Sequence, residues 1–269
     1  MKLQKSTTLI LRSIALLYIF ILVVVPIATI LYRTFRPGLA TFWEWITTPA
    51  AISALQVSLI IVLITVPLNV IFGIVVSLAL VRGNFPGKGI VQAIVDLPFA
   101  VSPVIVGVSL ILLWGHGGWF GGIENTGFKV IFALPGMVLA TIFVTLPFIV
   151  REVEPVLREI GTEQEQAAAT LGANRWETFS QITLPSIRWG LVYGVVLTVA
   201  RALGEFGAVI MVASNFAGGG QTLTLLVHSR YIDDHNEYGA YAAATLLMGV
   251  AVLVLVLMTI IQKRNKVEQ

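Results

Sequence analysis

Six long apolar segments determine what this chain of 269 residues can fold into. A transmembrane α-helix needs about 20 mostly apolar residues, because the hydrocarbon core of a bilayer is about 30 Å thick. Segments of about this length lie near residues 14–31, 54–81, 90–114, 134–150, 190–212 and 241–261. Hydrophobic residues make up 57% of the sequence and charged residues only 12%, whereas a soluble domain has about 25% charged residues. We therefore predict an all-α integral membrane protein with six transmembrane helices.

The basic residues between these segments predict the orientation of the helices. With a cytoplasmic N-terminus, the inner segments contain Lys2, Lys5, Arg12, Arg82, Lys88, Arg151, Arg158, Arg175, Arg188, Lys263, Arg264 and Lys266. The outer segments contain Arg33, Arg36, Lys129 and Arg230. Because cytoplasmic loops carry an excess of Lys and Arg, we expect both termini in the cytoplasm. No small-x-small cleavage site follows the first apolar segment, so we expect it to be a retained helix rather than a signal peptide.

The composition also excludes several classes of function. The net charge of +3 does not indicate nucleic-acid binding, because the basic residues flank apolar segments and form no basic face. Cysteine is absent, which excludes disulfides, thiolate metal sites and a thiol nucleophile. The chain has no Ser, His and acid arrangement for nucleophilic catalysis and no G-x-x-x-x-G-K-[ST] phosphate loop. We assign no catalytic residue, and we do not expect this chain to hydrolyse ATP by itself.

Prolines interrupt several apolar segments, at Pro26, Pro67, Pro98, Pro103 and Pro147. Each removes a backbone donor and kinks or breaks its helix. Two interpretations remain open: neighbouring helices accommodate the breaks, or the prolines are hinges in a moving helix bundle.

A polar segment, EQAAATLGANRWETFSQITLP at residues 165–185, interrupts the apolar pattern on the predicted cytoplasmic side. Acidic residues near its start favour a helix N-terminus, and Gly172 is a typical residue for ending that helix. Asn174, with Glu177 three residues later, forms a capping box that predicts a second helix, which we expect to stop before Pro185. An amphipathic helical pair on one side of the membrane is typical of a segment that contacts a soluble partner.

This segment carries a spaced motif. Its residues are Gln166, Ala167, Ala168, Gly172, Ile182, Leu184 and Pro185. The spacing resembles that of the Glu-Ala-Ala, three residues, Gly, nine residues, Ile-x-Leu-Pro loop in permease subunits of binding-protein-dependent ABC importers. The first position departs from the motif, because Gln166 occupies it and Glu165 stands one residue earlier. The resemblance implies that these seven residues and Glu165 couple the chain to a separate ATPase.

Three further segments resemble sulfate and molybdate permeases: IVDLPFAVSPVIVG at 94–107, PGMVLATIFVTLPFIVREVEPVL at 135–157 and ARALGEFGAVIMVASN at 200–215. The resemblance covers most of residues 54–261 and implies a type I ABC importer permease fold (MetI-like). It divides the chain into three regions. These are 1–53, with the cytoplasmic N-terminus, first helix and outer loop; a permease core, 54–261, with a coupling loop at 151–189; and a basic cytoplasmic tail, 262–269.

The resemblance also implies partners in the bilayer of a bacterial inner membrane. They are two copies of an ABC ATPase that binds ATP and Mg, a second similar but non-identical permease subunit, and an external sulfate-binding protein. No cofactor is expected in this chain. Sulfate or thiosulfate is the favoured substrate, and a molybdate or tungstate permease, which pairs identical subunits, is the alternative.

A secondary transporter or channel that works without ATP is the alternative of another class. It favours inverted repeats and broken helices at mid-membrane, which the sequence does not show, and it leaves the cytoplasmic loop unexplained. The segment AGGGQ at residues 217–221 resembles the Leu-Ser-Gly-Gly-Gln signature of ABC ATPases. The predicted topology places it outside, away from ATP.

Three charged residues, Asp96, Arg201 and Glu205, fall in or near apolar segments, where an isolated charge is costly. Arg201 and Glu205 are four residues apart and can form an ion pair on one helix face, with Asp96 as a further partner. Two interpretations remain open. The three residues form an internal ion pair or interhelical lock, or Arg201 lines the translocation path and attracts an oxyanion while the two acids hold it in place.

Charged residues also cluster in the predicted outer loop HSRYIDDHNEY at 228–238. The spacing of its histidines and carboxylates is not typical of a metal site, so we expect a hydrated loop that binds no metal. Arg230, Asp233 and Asp234 are candidates for contact with the external binding protein.

Overall fold

The computed structural model describes residues 5–216 and 218–267, with side chains for residues 11–216 and 218–260. All regular elements in these ranges are helices. Helices long and apolar enough to cross a membrane span Leu11–Phe35, Pro49–Arg82, Leu134–Ile160, Arg175–Leu203 and Glu237–Ile260. Two further helices form one more crossing if they count together as a broken span. The prediction of an all-α membrane protein is confirmed.

The α-helices are numbered along the described chain. They are α1 (Lys5–Ile19), α2 (Val25–Phe35), α3 (Leu39–Ile46), α4 (Pro49–Arg82), α5 (Lys88–Ala100), α6 (Pro103–Trp114), α7 (Leu134–Ile160), α8 (Glu163–Thr170), α9 (Arg175–Thr178), α10 (Leu184–Leu203), α11 (Val209–Val212), α12 (Leu223–His228) and α13 (Glu237–Val267). Turns of π-helix cover Phe20–Val24, Phe179–Thr183 and Ser229–Asp233, and a 3₁₀ turn covers Gly121–Thr126.

The core of the molecule is the packing of α4, α7 and α10 against one another. Small residues allow this close approach: a methyl group at Gly73 of α4 would overlap Ile149 of α7. One at Gly190 of α10 would overlap the backbone of α7. A buried hydrogen bond of 2.6 Å, from the Asn69 amide to the Thr145 hydroxyl, also joins α4 to α7. Small residues and interhelical hydrogen bonds are the usual means of helix association in membranes.

The predicted span 90–114 is not one straight helix. It is divided into α5 and α6, whose axes meet at 114°. The break lies at Val101 and Ser102, which both have extended backbone (ψ 136° and 134°). Pro103 explains the break, because its ring disfavours helical conformation in the residue before it. The proline at this position therefore divides the predicted span.

The predicted span 190–212 is also wrong at its boundaries, because α10 ends at Leu203 and is capped by Gly204. At the other end, the second helix of the polar segment 165–185 does not stop before Pro185. It continues through the π-turn Phe179–Thr183 into α10. The wider turn, in which the Leu184 amide bonds to the Phe179 carbonyl, accommodates a proline that cannot donate a hydrogen bond.

The two terminal helices pack against each other where α2 ends and α13 begins. The Thr34 hydroxyl of α2 lies 2.8 Å from the Thr245 hydroxyl and 3.1 Å from the Tyr241 carbonyl of α13. The predicted tail 262–269 is the end of α13 as far as Val267. Lys2, Ala217 and residues 268–269 lie outside the described residues.

Candidate functional site: the helical hairpin and the charged residues of the apolar segments

The polar segment 165–185 folds as a helical hairpin, which consists of α8, the turn at residues 171–174 and α9. The end of α8 is a Schellman motif, in which the amide of Ala173 bonds to the carbonyl of Ala168 and that of Gly172 to Ala169. Gly172 has a φ of +87°, and a methyl group there would meet nothing within 4 Å. Glycine is therefore favoured by its backbone conformation rather than by lack of space.

The start of α9 is the capping box that the sequence indicates. The Asn174 side chain accepts a hydrogen bond of 2.9 Å from the Glu177 amide, and the Glu177 carboxylate accepts one of 2.8 Å from the Asn174 amide. Local signals therefore set both ends of the turn, which gives the hairpin its shape.

The motif residues divide between the hairpin surface and its supporting core. Gln166 and Ala167 are exposed, and Ala168 is buried. Leu184 packs into a cluster with buried residues of α7 and α10. Ile182 is half-buried and Pro185 is exposed. The exposed members remain candidates for contact with an ATPase, and Ala168 and Leu184 hold the hairpin in place.

Two large apolar side chains at the hairpin turn were not predicted as functional residues from the sequence. Leu171 is 89% exposed and Trp176 is 72% exposed, on either side of Gly172. The Trp176 ring lies 5.7 Å from the ring of Phe179, which holds it at the turn. Their signal in the sequence is simple, since they are bulky apolar residues in an otherwise polar segment.

Glu165 points towards the protein rather than into solvent. Its carboxylate pairs with the Arg82 guanidinium at the end of α4, with an Nε–Oε2 distance of 3.0 Å. Glu165 therefore differs from the exposed Gln166, although both are candidate coupling residues.

The candidate charged residues in or near the apolar segments form two separate ion pairs. Arg201 of α10 pairs with Glu205 in the turn that follows, with an Nη2–Oε2 distance of 2.6 Å. The Glu205 side chain is fully buried, and the Arg201 side chain is one-third exposed. The other Glu205 oxygen accepts a hydrogen bond of 2.8 Å from the Ala208 amide. The turn therefore fixes the acid, and the acid pairs with a guanidinium whose side chain remains partly exposed.

Asp96 is not part of this pair, contrary to the interpretation that groups it with Arg201. It accepts two hydrogen bonds, of 2.9 and 3.1 Å, from Arg151 of α7. The Arg151 guanidinium also lies 4.2 Å from the ring centre of Phe99. The reason is the packing of α5, which carries Asp96, against α7.

Arg230 is not a residue of a hydrated surface, which corrects its assignment to docking. It is 4% exposed and donates hydrogen bonds to the Gly239 carbonyl (2.9 Å) and the Thr48 hydroxyl (2.7 Å). Burial lowers the pKa of its guanidinium, and the nearby Asp234 carboxylate partly opposes this effect. Its role is to join the start of α4 to the start of α13. Asp233 and Asp234 are exposed and remain candidates for docking.

Residues 69–267 match the family described as "Binding-protein-dependent transport system inner membrane component". The chain belongs to this family. The resemblance inferred from the spaced motif is therefore confirmed, and the protein is a multi-pass membrane protein.

Relatives of this chain are similar over nearly its whole length. The sulfate transport system permease protein CysW of Synechococcus elongatus is 46% identical over 94% of this chain and 88% of its own length. CysW of Escherichia coli (strain K12) is 41% identical over 94% and 87%. Sulfate permease 2, chloroplastic, of Chlamydomonas reinhardtii is 48% identical over 89% of this chain and 65% of its own.

Solved structures show the same fold at low identity. A bacterial ABC transporter involved in the import of the acidic polysaccharide alginate has a chain with a TM-score of 0.77 and 18% identity, and the match covers 96% of both chains. The alginate transporter in complex with an alginate pentasaccharide-bound periplasmic protein gives a TM-score of 0.78 and 17% identity over 96% of this chain and 94% of that one. The predicted type I importer permease fold (MetI-like) is confirmed.

Proposed function

We propose that this chain is a permease subunit of an ATP-driven ABC importer that takes up sulfate. The observation that carries the proposal is its identity of 41–48% with sulfate permeases over about nine-tenths of its length or more. Thiosulfate is a further candidate substrate of the same permease. Molybdate and tungstate are not favoured, because the relatives that match this chain closely are sulfate permeases.

The hairpin of α8 and α9 is the proposed contact with the ATPase. Leu171 and Trp176 expose large apolar surface at its turn, and such side chains are common anchors of protein interfaces. Gln166 and Ala167 lie on the exposed side of α8 beside them. ATP and Mg would be bound by two copies of the ATPase, and this chain would transmit motion rather than perform chemistry.

Arg201 is the proposed contact with the anion in the membrane. One side of its guanidinium is held by the buried Glu205, and its side chain is one-third exposed. A single partly neutralised guanidinium attracts a dianion without holding it tightly, and transport requires both entry and release.

The assembly is proposed to contain a second, non-identical permease and an external sulfate-binding protein, with both termini of this chain in the cytoplasm. The chain is 34% identical over 93% of its length to CysT, a sulfate transport system permease protein of Escherichia coli. The relatives thus include two kinds of sulfate permease. The positive-inside distribution of Lys and Arg supports the orientation.

Uptake of labelled sulfate into vesicles that carry the purified complex tests the proposal. We expect uptake to require both ATP and the binding protein. We also expect excess molybdate to compete only weakly with sulfate. Co-purification of the chain with a nucleotide-binding subunit distinguishes an importer from an ATP-independent transporter. An ATP-independent transporter is the alternative, because such transporters also contain broken helices like the pair α5 and α6. Uptake that does not require ATP would support this alternative.

A further inference from the structure

Arg82, the last residue of α4, joins the cytoplasmic ends of three elements. Its Nη1 donates a hydrogen bond of 3.1 Å to the Leu157 carbonyl, and its Nη2 donates to the Gly161 carbonyl. Both carbonyls belong to the end of α7. Its Nε and Nη2 donate to the two Glu165 oxygens of α8, at 3.0 and 3.3 Å.

Glu165 extends this network to a fourth element. Its Oε1 accepts a hydrogen bond of 2.9 Å from the Thr183 hydroxyl, which lies in the π-turn that precedes α10. Thr183 is buried, and the Arg82 and Glu165 side chains are only 19% and 22% exposed. Water therefore competes weakly for these bonds, and a planar guanidinium holds a carboxylate in a defined geometry.

The rest of α8 has little contact with the bundle. Among the eight residues of this helix, all of which the structure describes, only Ala168 is buried. A cleft of about 660 Å³, lined in part by Leu78, Arg82, Glu165 and Thr183, lies between the end of α4 and the hairpin. Close apolar packing therefore contributes little to the transfer of force from α8 to α4.

Independently of Arg82, the helices of the bundle are packed tightly against one another. α4, α7 and α10 are in contact through glycines that leave no room for a methyl group, and a buried hydrogen bond joins Asn69 to Thr145. A displacement delivered to the end of α4 and α7 is therefore passed to the whole bundle, because close-packed interiors deform little.

We propose that Arg82 is a positioning residue through which α8 of the hairpin moves the ends of α4 and α7 when the ATPase closes. The inference rests on the proposed coupling to an ATPase. It assigns docking of the ATPase and transmission of the motion to different residues. Leu171 and Trp176 dock the partner, and the Arg82–Glu165–Thr183 network transmits the motion. Glu165 acts inside this chain rather than on the ATPase surface.

The test is the amount of labelled sulfate taken up per ATP hydrolysed, measured on the complete complex in liposomes. We expect Arg82→Gln to lower this ratio about tenfold, the effect of about 1.4 kcal/mol in the transmitting step, while the ATPase still co-purifies. Arg158→Gln is the matched control. Arg158 pairs with Glu154 four residues away within α7 (2.7 Å), so its loss removes the same kind of ion pair without releasing α8.

The double variant Arg82→Gln, Glu165→Gln separates transmission from a direct contact of Glu165 with the ATPase. If both residues act through one network, the ratio falls no further than in the more affected single variant, because coupled residues are not additive. The inference is overturned if the fall in the double variant equals the product of the falls in the two single variants. A wild-type ratio in Arg82→Gln, or an equal fall in Arg158→Gln, also overturns it.

Glu165→Gln also serves if Arg82→Gln does not reach the membrane, because Arg82 then keeps its two carbonyl partners. We expect it to lower the ratio as well, and a wild-type ratio in this variant counts against the inference. Failure of the proposed function has a different result, since the unmodified complex would then show no ATP-dependent uptake of sulfate.

Discussion

The hairpin of α8 and α9 and the loop around Arg230 are both polar regions between spans, but they are stabilised in different ways. In the hairpin, the hydrogen bonds that fix the turn join residues three to five positions apart, such as Asn174 and Glu177. Around Arg230, Gly239 is nine positions away, but Thr48 and Trp45 lie more than 180 positions away in the chain. The hairpin is shaped by hydrogen bonds within its own segment and exposes apolar side chains. The loop around Arg230 is shaped by contacts with distant residues, which bury Arg230.

The largest effect is expected from Arg230→Ala, which tests whether the loop around Arg230 depends on distant contacts. The change leaves buried acceptors on α13 and near the start of α4 without a charged donor, so we expect the free energy of unfolding to fall by about 3 kcal/mol. Thermal unfolding of the purified protein measures it. Arg33→Ala is the control. Arg33 is half-exposed and its ion pair with Glu237 is long, at 3.6 Å, so its loss should cost little stability. Equal effects of the two changes would remove the contrast between the regions.

The next effect is expected from the paired change Leu171→Ala and Trp176→Ala at the hairpin turn. Because both side chains are exposed, stability should change little, but the affinity for the ATPase should fall by about 2 kcal/mol or more. Binding of the purified ATPase to the chain in nanodiscs measures this loss. Trp119→Ala, at a tryptophan that is 87% exposed in another loop, should leave the affinity unchanged.

A smaller effect is expected from Gly172→Leu, which disturbs the hairpin turn without changing its surface charge. A side chain at a φ of +87° costs about 1–2 kcal/mol. We expect the protein to remain in the membrane while ATP hydrolysis is uncoupled from uptake. Gly89→Leu is the control, since Gly89 also has open space but no positive φ. Normal substrate-stimulated ATPase and uptake in Gly172→Leu would show that the turn tolerates distortion.

The smallest effect is expected from Asn174→Ala, which removes half of the capping box. Loss of an N-cap costs about 1 kcal/mol, and the cost should appear as faster amide hydrogen exchange in α9 alone. Exchange that also increases in α7 would mean that the hairpin depends on the bundle more than its local bonds indicate.

The two regions also explain how much could be predicted from the sequence. The capping box at Asn174 and the Gly172 turn depend on neighbours in the chain, and both are where the sequence indicates. The break before Pro103 could have been anticipated from the proline, but its angle of 114° depends on packing. The partner of Asp96 is Arg151, 55 positions away, and spacing along one helix cannot reveal such a contact. The burial of Arg230 and the inward direction of Glu165 were missed for the same reason.

The π-turn at Phe179–Thr183 makes α9 of the hairpin and α10 parts of one helix of 29 residues, Arg175–Leu203. At 1.5 Å per residue this helix is about 40 Å long, and Arg201 lies near its far end. The same helix therefore carries Trp176, proposed to contact the ATPase, at one end and Arg201, proposed to meet the anion, at the other. A single continuous backbone links the two proposed sites without crossing an interface between helices.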